Sequence, residues 1–248
     1  MTPWPTGARG EIHDSIDSTN AAAAQRIAEG ETGPYWIAAR AQTTGRGRQG
    51  RTWQSPKGNL FATLITPHAG SPATAALTGF AAALAVADTL VHFAPSATIG
   101  LKWPNDVLLN DAKASGILLE SFAGDPLTLA IGIGLNLAEA PPPDQTRWRA
   151  TSLAAETGTP PPFDAALGQL AHNLTDWLTT LQTQGFDTIR EAWLARAAHL
   201  GQPIEVHLSD RHLTGRFADL DADGTLVLDS GARQHRIAAG DVFLPGVG

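Results

Sequence analysis

Ile99 to Leu137, IGLKWPNDVLLNDAKASGILLESFAGDPLTLAIGIGLNL, holds four apolar runs of strand length: Ile99–Trp103, Val107–Leu109, Ser115–Phe122 and Leu127–Leu137. Turn residues separate them, so the stretch predicts adjacent strands of one sheet. Upstream, Pro72 opens an alanine-rich run that continues to about Phe93 and stops before Pro95, which predicts a long helix packed on that sheet. Farther out, Tyr35–Ala41 and Asn59–Thr66 read as two more strands. Ser18-Thr19-Asn20 supply N-cap residues for an alanine-rich helix that reaches Glu29 and is closed by Gly30.

Downstream, the triplets Pro141-Pro142-Pro143 and Pro160-Pro161-Pro162 bracket a short helix around Ser152–Glu156. Leu167, Leu170, Leu174, Trp177, Leu178 and Leu181 then recur at spacings of three and four, the pattern of an amphipathic helix over Phe163–Leu181. A second helix is expected over Phe186–Leu200. From Gly201 the texture changes to short segments with turn signals at Ser209-Asp210, Asp221–Gly224 and Ser230-Gly231, which suits a small barrel of four to six strands. The expected class is therefore α+β: a central sheet with packed helices over residues 1–199 and a small all-β domain over 200–248.

A chain of 248 residues has room for one to two domains and a sizeable core. Its 43% apolar and 17% charged residues exclude disorder as the main state. With no cysteine, disulfide scaffolds, cysteine zinc sites and thiol nucleophiles drop out, and the composition fits a cytoplasmic protein. The N-terminal MTPWPTGARGE has no apolar run of a secretory signal. The stretch Leu77–Val91, interrupted by Gly79 and Asp88, falls short of the roughly 18 residues of a membrane span. No membrane partner is expected, and the net charge of −7 argues against a nucleic-acid partner. The charge is uneven, however. Arg40, Arg46, Arg48, Arg51 and Lys57 form a basic segment without an acid; the other 12 basic residues face all 24 acids, leaving −12 on the rest.

Gly45-Arg46-Gly47-Arg48-Gln49-Gly50 satisfies the dinucleotide pattern GxGxxG, and Gly45–Thr52 resembles a P-loop with Arg51 where lysine is required. Both motifs need a helix directly afterwards to hold phosphate at its N-terminal amides. Pro56 and Gly58 forbid that helix, so both readings fail. What remains is a loop in which glycines permit close backbone approach and arginines offer charged forks for phosphate or carboxylate oxygens. A solvated basic loop is the plainer alternative, but the interleaving of three glycines and three arginines in an acidic chain favours an anionic ligand. Lys102-Trp103-Pro104-Asn105-Asp106 places polar groups at strand ends, where α/β sites gather, although the same residues suit an ordinary turn. Lys113 stands at another strand entrance. In LAIGIGLNL, Gly132 and Gly134 weaken a strand unless something must come close, and Asn136 needs a partner that adenine or a neighbouring backbone group would supply. No HExxH spacing or GxSxG elbow is present, which leaves metal hydrolysis and triad chemistry unsupported.

Asp17-Ser18-Thr19-Asn20, Gln42 with GRGRQGR, KWPNDV, KASGILLE and GIGLN occur together and in that order. The ordered set, spanning nearly the whole chain, resembles the biotin protein ligases, also called biotin–[acetyl-CoA carboxylase] ligases. The resemblance implies a central mixed β-sheet with packed helices, the class II synthetase-like catalytic fold, followed by an SH3-like C-terminal barrel. It implies a nucleotide-binding ligase for protein modification: biotin and ATP give biotinyl-5′-adenylate and pyrophosphate, and biotin then passes to one lysine of a biotin carboxyl carrier domain. Magnesium is implied only by the use of ATP, and no metal ligand is assigned. By the resemblance, Ser18, Thr19 and Gln42 hold the ureido ring, Gly116 also lies at biotin, and Gly45 and Gly47 let the loop close. Arg46 and Arg48 reach the biotin carboxylate and the adenylate phosphate, and Lys113 binds the carboxylate and acyl-phosphate oxygens. Arg51, Trp53, Lys102, Asn105 and Asn136 fall at the nucleotide. Arg48, Lys113 and Asp106 are the implied catalytic set.

Adenylation gives a resistant carboxylate a good leaving group, and cations must offset the charge gathered where it meets the triphosphate. The acceptor lysine, with a reference pKa of about 10.4, is mostly protonated at neutral pH, which makes Asp106 a candidate base. The motif Asp17–Asn20 arrives within twenty residues of Met1, so the N-terminal helix-turn-helix of some relatives is not expected here. Gln49 departs from the arginine frequent at its place in the family loop. Two rivals are a lipoate ligase, against which GRGRQGR and KWPND weigh, and a catalytically silent biotin sensor, against which Lys113, both loop arginines and Asp106 weigh. Monomer and homodimer are both compatible with the sequence.

Overall fold

The computed structural model describes residues 4–146, 148–208 and 210–244. Seven strands form the larger sheet: β1 (Arg9–His13), β2 (Tyr35–Ala39), β3 (Leu60–His68), β4 (Ile99–Lys102), β5 (Asp106–Leu109), β6 (Ala112–Phe122) and β7 (Leu127–Leu135). Their order is β1-β2-β3-β7-β6-β5-β4. Only β1 and β2 run parallel, so the sheet is mixed, as expected. The four runs between Ile99 and Leu137 are indeed neighbours.

Helix α1 (Thr19–Ala28) lies on one face over Ile37, Ile65 and Ala130. It begins where the Ser18 hydroxyl accepts from the Ala21 N–H at 3.4 Å. Helix α2 (Pro72–Phe93) lies on the other face, with α4 (Phe163–Gln184) behind it. Being covered on both sides, α2 is apolar almost all round, and its alanines allow the close approach. At 22 residues it is long and apolar enough to cross a membrane, contrary to the expectation from Leu77–Val91, but its apolar surface is spent on the core. Its one acid, Asp88, pairs with Arg196 at 2.5 Å and accepts from Trp177 Nε1 at 2.7 Å.

Two elements differ from expectation. The edge strand β1 carries Ile12 as its only large apolar residue and gives no strand signal. Helix α5 (Phe186–Leu194) stops six residues short of Leu200, because the Leu101 N–H donates to Arg196 O and the Ala198 N–H donates to Leu101 O, both at 2.8 Å. Pairing with β4 thus replaces another helical turn. The short helix α3 (Leu153–Thr157) forms where expected, capped by Ser152.

The second sheet holds β8 (Pro203–His207), β9 (His212–Leu220), β10 (Leu226–Asp229), β11 (Gln234–Ile237) and β12 (Asp241–Phe243) in the order β11-β10-β9-β8-β12. It is antiparallel and five-stranded, within the expected count. Its hydrogen-bonded ladder is open between β11 and β12 among the described residues, so the expected barrel does not close. The two sheets share a core: Trp193 of α5 meets Phe80 of α2 edge-on at 5.6 Å and Phe217 of β9 at 6.5 Å. The Trp103 indole N–H donates to Gly224 O at 3.2 Å.

Candidate active site

Two chambers open beside each other at the strand ends of the larger sheet, with volumes of about 140 and 300 Å³. Arg51, Thr52, Trp53, Asp106, Lys113 and Asp241 border both.

The first chamber has an uncharged polar end built at the N-terminus of α1. The Thr19 N–H and hydroxyl both donate to Gln42 Oε1, at 2.8 and 3.1 Å, and Gln42 Nε2 donates to Ser55 Oγ at 2.9 Å. These contacts fix which way the amide points. Thr63 Oγ1 lies 2.9 Å from Thr19 Oγ1 and 2.8 Å from Asn20 Oδ1. Asn20 in turn donates to Glu120 at 2.7 Å, and Glu120 pairs with Arg46 at 3.3 Å.

The basic loop closes on itself rather than leading into a helix. The Gly47 N–H donates to Arg51 O at 2.7 Å, the Trp53 N–H donates to Gly45 O at 2.9 Å, and Arg46 bridges Thr52. The dinucleotide and P-loop readings are thereby excluded by the structure as well. Gln49, the family departure, sits at the turn with a left-handed φ of 56°.

Gly132 and Gly134 serve the close approach inferred from the sequence, toward two side chains. A Cβ on Gly132 would stand 1.8 Å from Asn20 Oδ1, and one on Gly134 would stand 2.5 Å from Trp53 Nε1. Gly116 faces Gly134 across the β6–β7 ladder, and its Cβ would stand 2.9 Å from the same indole. The paired glycines make a flat floor for Trp53, whose ring also faces Lys113 Nζ at 5.2 Å. Gly134→Ala is expected to force the ring off this floor and lower the unfolding free energy by about 1–3 kcal/mol, as overpacking does. Urea denaturation checks this; an unchanged midpoint would mean the indole has room to move.

Charge concentrates where the chambers meet. Asp106 pairs with Lys113 at 2.6 Å and with Lys102 at 3.5 Å. Burial pushes the Asp106 carboxyl up, but the two ammonium groups outweigh it and hold the carboxyl below 3.8. Burial lowers the Lys102 ammonium, against the pull of Asp106. Asp241, arriving on β12, pairs with Arg51, and it too lies below 3.8 because Arg51, Arg48 and Lys102 overcome its burial. Arg48 is lowered chiefly by burial and donates to Asn105 Oδ1 at 3.1 Å. Arg48, Arg51, Lys102 and Lys113 thus outnumber Asp106 and Asp241, so the junction favours an anion.

An acid held below its ordinary value stabilises the fold fully above that value and loses the contribution as pH falls through the folded one. Stability is therefore expected to drop below pH 3.8, with Asp241→Asn removing part of the slope. Denaturant midpoints taken from about pH 6 to about pH 3 measure it; a variant slope equal to the parent's would remove Asp241 from the account.

The second chamber is lined by Trp148, Phe243, Lys102 and Asn136. Lys102 Nζ lies 4.8 Å from the Trp148 ring. Asn136, 1% exposed, donates to Thr151 O at 3.0 Å while its Oδ1 has no partner among the described residues. The backbone alternative weighed for Asn136 accounts for its amide N–H, and the free oxygen is left for something else.

Of the residues picked out in the sequence, Ser18, Thr19, Gln42, Arg46, Gly47, Arg48, Asn105 and Gly116 line the first chamber, and Lys102 and Asn136 the second. Arg51, Trp53, Asp106 and Lys113 stand at the junction. Gly45 lines neither chamber but a neighbouring cleft with Thr43 and Ser55. Sequence reading missed Asn20 as a lining residue, although its place beside Thr19 offered a signal. It also missed Glu120, which ends the KASGILLE motif, and Trp148, Phe243 and Asp241, for which nothing local signals a site.

Residues 12–136 match the biotin/lipoate A/B protein ligase family, and residues 199–244 match the biotin protein ligase C-terminal domain. A biotin–[acetyl-CoA-carboxylase] ligase of Paracoccus denitrificans is 43% identical over 236 residues, 93% of this chain and 98% of that protein. The bifunctional ligase/repressor BirA of Bacillus subtilis is 30% identical over 94% of this chain and 73% of its own length. The biotin protein ligase of Aquifex aeolicus, solved in complex with biotin and ATP, superposes with a TM-score of 0.82 at 24% identity, covering 95% of this chain and 97% of that one. With the glycine-floored chambers and cationic junction carried on that fold, the chain belongs to the biotin/lipoate A/B protein ligase family and carries the C-terminal domain of its biotin protein ligases.

Proposed function

We propose that this chain is an ATP-dependent biotin protein ligase, which forms biotinyl-5′-adenylate and then transfers biotin to a lysine of a carrier domain. One observation carries the reading: an uncharged polar pocket and a tryptophan-lined pocket meet at a junction with excess positive charge. A biotinyl-adenylate has the same sequence of parts, a neutral ureido ring, an acyl-phosphate and a purine. The similarity to a biotin–[acetyl-CoA-carboxylase] ligase supports the same substrate and points to the biotin carboxyl carrier domain of such a carboxylase as the partner. The C-terminal domain match favours biotin over lipoate. Need for ATP and for a carboxylase partner fits the cytoplasm.

In the first step a biotin carboxylate oxygen attacks the α-phosphorus of ATP and pyrophosphate leaves. Thr19 and Gln42 hold the ureido ring beside Ser18. Arg46, Arg48 and Lys113 offset the charge that gathers as carboxylate and triphosphate meet, which is where fixed cations contribute most. Trp53 offers its indole face near the junction. Asn136 Oδ1, buried and without a partner among the described residues, suits an amine donor on the purine. In the second step the carrier lysine nitrogen attacks the acyl carbon, AMP leaves and the ammonium proton passes to solvent. Asp106 is a weak base while two ammonium groups hold it ionised, so we assign it to positioning Lys102 and Lys113 and to receiving the attacking amine. Asp106 and Asp241 already face cations, so among the described residues at the junction no carboxylate pair is set aside for magnesium, which would arrive with the triphosphate.

The test is pyrophosphate release from ATP with biotin or lipoate supplied separately, followed by intact mass of a biotin-acceptor domain. Biotin-dependent release with a mass gain on the acceptor is expected. Release with lipoate alone would move the substrate, and biotin binding without release would make the chain a sensor.

A further inference from the structure

Three metal-binding side chains converge on the β8–β9 hairpin of the second sheet, outside the two chambers. His207 and His212 face each other across the ladder, and their rings stack with centroids 3.7 Å apart and planes 5° from parallel. Glu205, two residues before His207 on the same strand face, brings Oε1 to 2.9 Å from His207 Nε2 and 3.3 Å from His212 Nδ1. All three ligand atoms lie within 4.8 Å of one another.

Two ligands 2.0–2.1 Å from a tetrahedral ion stand about 3.3 Å apart, close to the separations of Glu205 Oε1 from the two ring nitrogens. The stacked rings lie in parallel planes, so the exposed His212 ring must turn out of the stack to aim its in-plane lone pair at an ion held by His207 and Glu205. Two imidazoles and a carboxylate are a donor set suited to zinc-like ions, with a fourth position left to water. The His212 side chain is 58% exposed, so an ion has a way in. We propose that Glu205, His207 and His212 form a binding site for a divalent transition-metal ion of zinc type. Each imidazole binds through a ring nitrogen without its hydrogen, so a hydrogen on His207 Nε2 that faces Glu205 must move to Nδ1 or to solvent as the metal enters.

The site connects to the chambers through β12. His207 pairs in register with Asp241, which holds Arg51, and its ring packs on Phe243 of the second chamber at 4.4 Å. Occupancy would fix this hairpin against the strand that delivers Asp241.

Cobalt(II) is the probe, titrated into the metal-free full chain and followed by its visible d–d absorption, with zinc added afterwards to displace it. One saturable equivalent is expected, displaced by zinc. His212→Gln, at an exposed position, should weaken cobalt binding at least about tenfold, since one of three ligands is lost. His92→Gln, on the exposed end of α2, should leave it unchanged. Circular dichroism and biotin-dependent pyrophosphate release confirm that each variant is folded. No saturable equivalent, or equal binding by His212→Gln, would overturn the proposal and leave Glu205 as a carboxylate hydrogen-bonded to His207, with His212 stacked on that ring.

Discussion

Arg48→Ala is expected to slow biotin-dependent pyrophosphate release by ~10²–10³-fold while leaving the fold intact, the loss typical when one fixed charge-stabilising donor is removed. Arg46 pairs with Glu120 and Arg51 with Asp241, whereas Arg48 forms no ion pair among the described residues and only one hydrogen bond, to Asn105. Its charge is thus the loop's least committed, and burial strengthens its interaction with an entering anion. Arg48→Lys should recover only part of the rate, because an ammonium cannot replace a planar fork on two oxygens. Single-turnover pyrophosphate release, with circular dichroism as the control, measures this. A loss below about tenfold for Arg48→Ala would remove Arg48 from charge stabilisation.

Asp106→Asn is expected to cost about 3–5 kcal/mol of stability, the usual result of removing one partner from a buried ion pair. Lys102, 6% exposed, and Lys113 would lose the carboxylate that now lies between them. Because Lys113 also loses its anchor, adenylate formation and transfer from preformed adenylate should both fall, and by similar factors. Urea denaturation reports the first effect, and the two half-reactions run separately report the second. Loss confined to transfer would instead make Asp106 the base for the carrier lysine.

Much of this was written locally. Ser18 before an alanine run, Pro72 before another, and the i, i+3, i+4 leucines of α4 place helices because capping and amphipathic spacing are short-range effects. The exclusion of a P-loop needed only Pro56 and Gly58, since backbone geometry forbids the following helix. The glycines of LAIGIGLNL announced a close approach without saying toward what. The structure shows that Gly132 makes room for Asn20 and that Gly134, with Gly116, makes room for Trp53. Strand β1 and the end of α5 were illegible because their pairing partners, β2 and β4, fix them, and propensity does not.

The sequence by itself determined the α+β class, the order of the helices, the basic loop and many of the polar and charged side chains that line the two chambers. Tertiary structure alone decided how those side chains are charged and joined. Asp241 reaches Arg51 across 190 positions of chain, and Lys102 and Lys113 share Asp106 only because β4, β5 and β6 are neighbours. The physical reason is range: caps and periodicity act over a few residues along the chain. Ion pairing and burial act over a few ångströms of space, and only the folded packing of two sheets sets those distances.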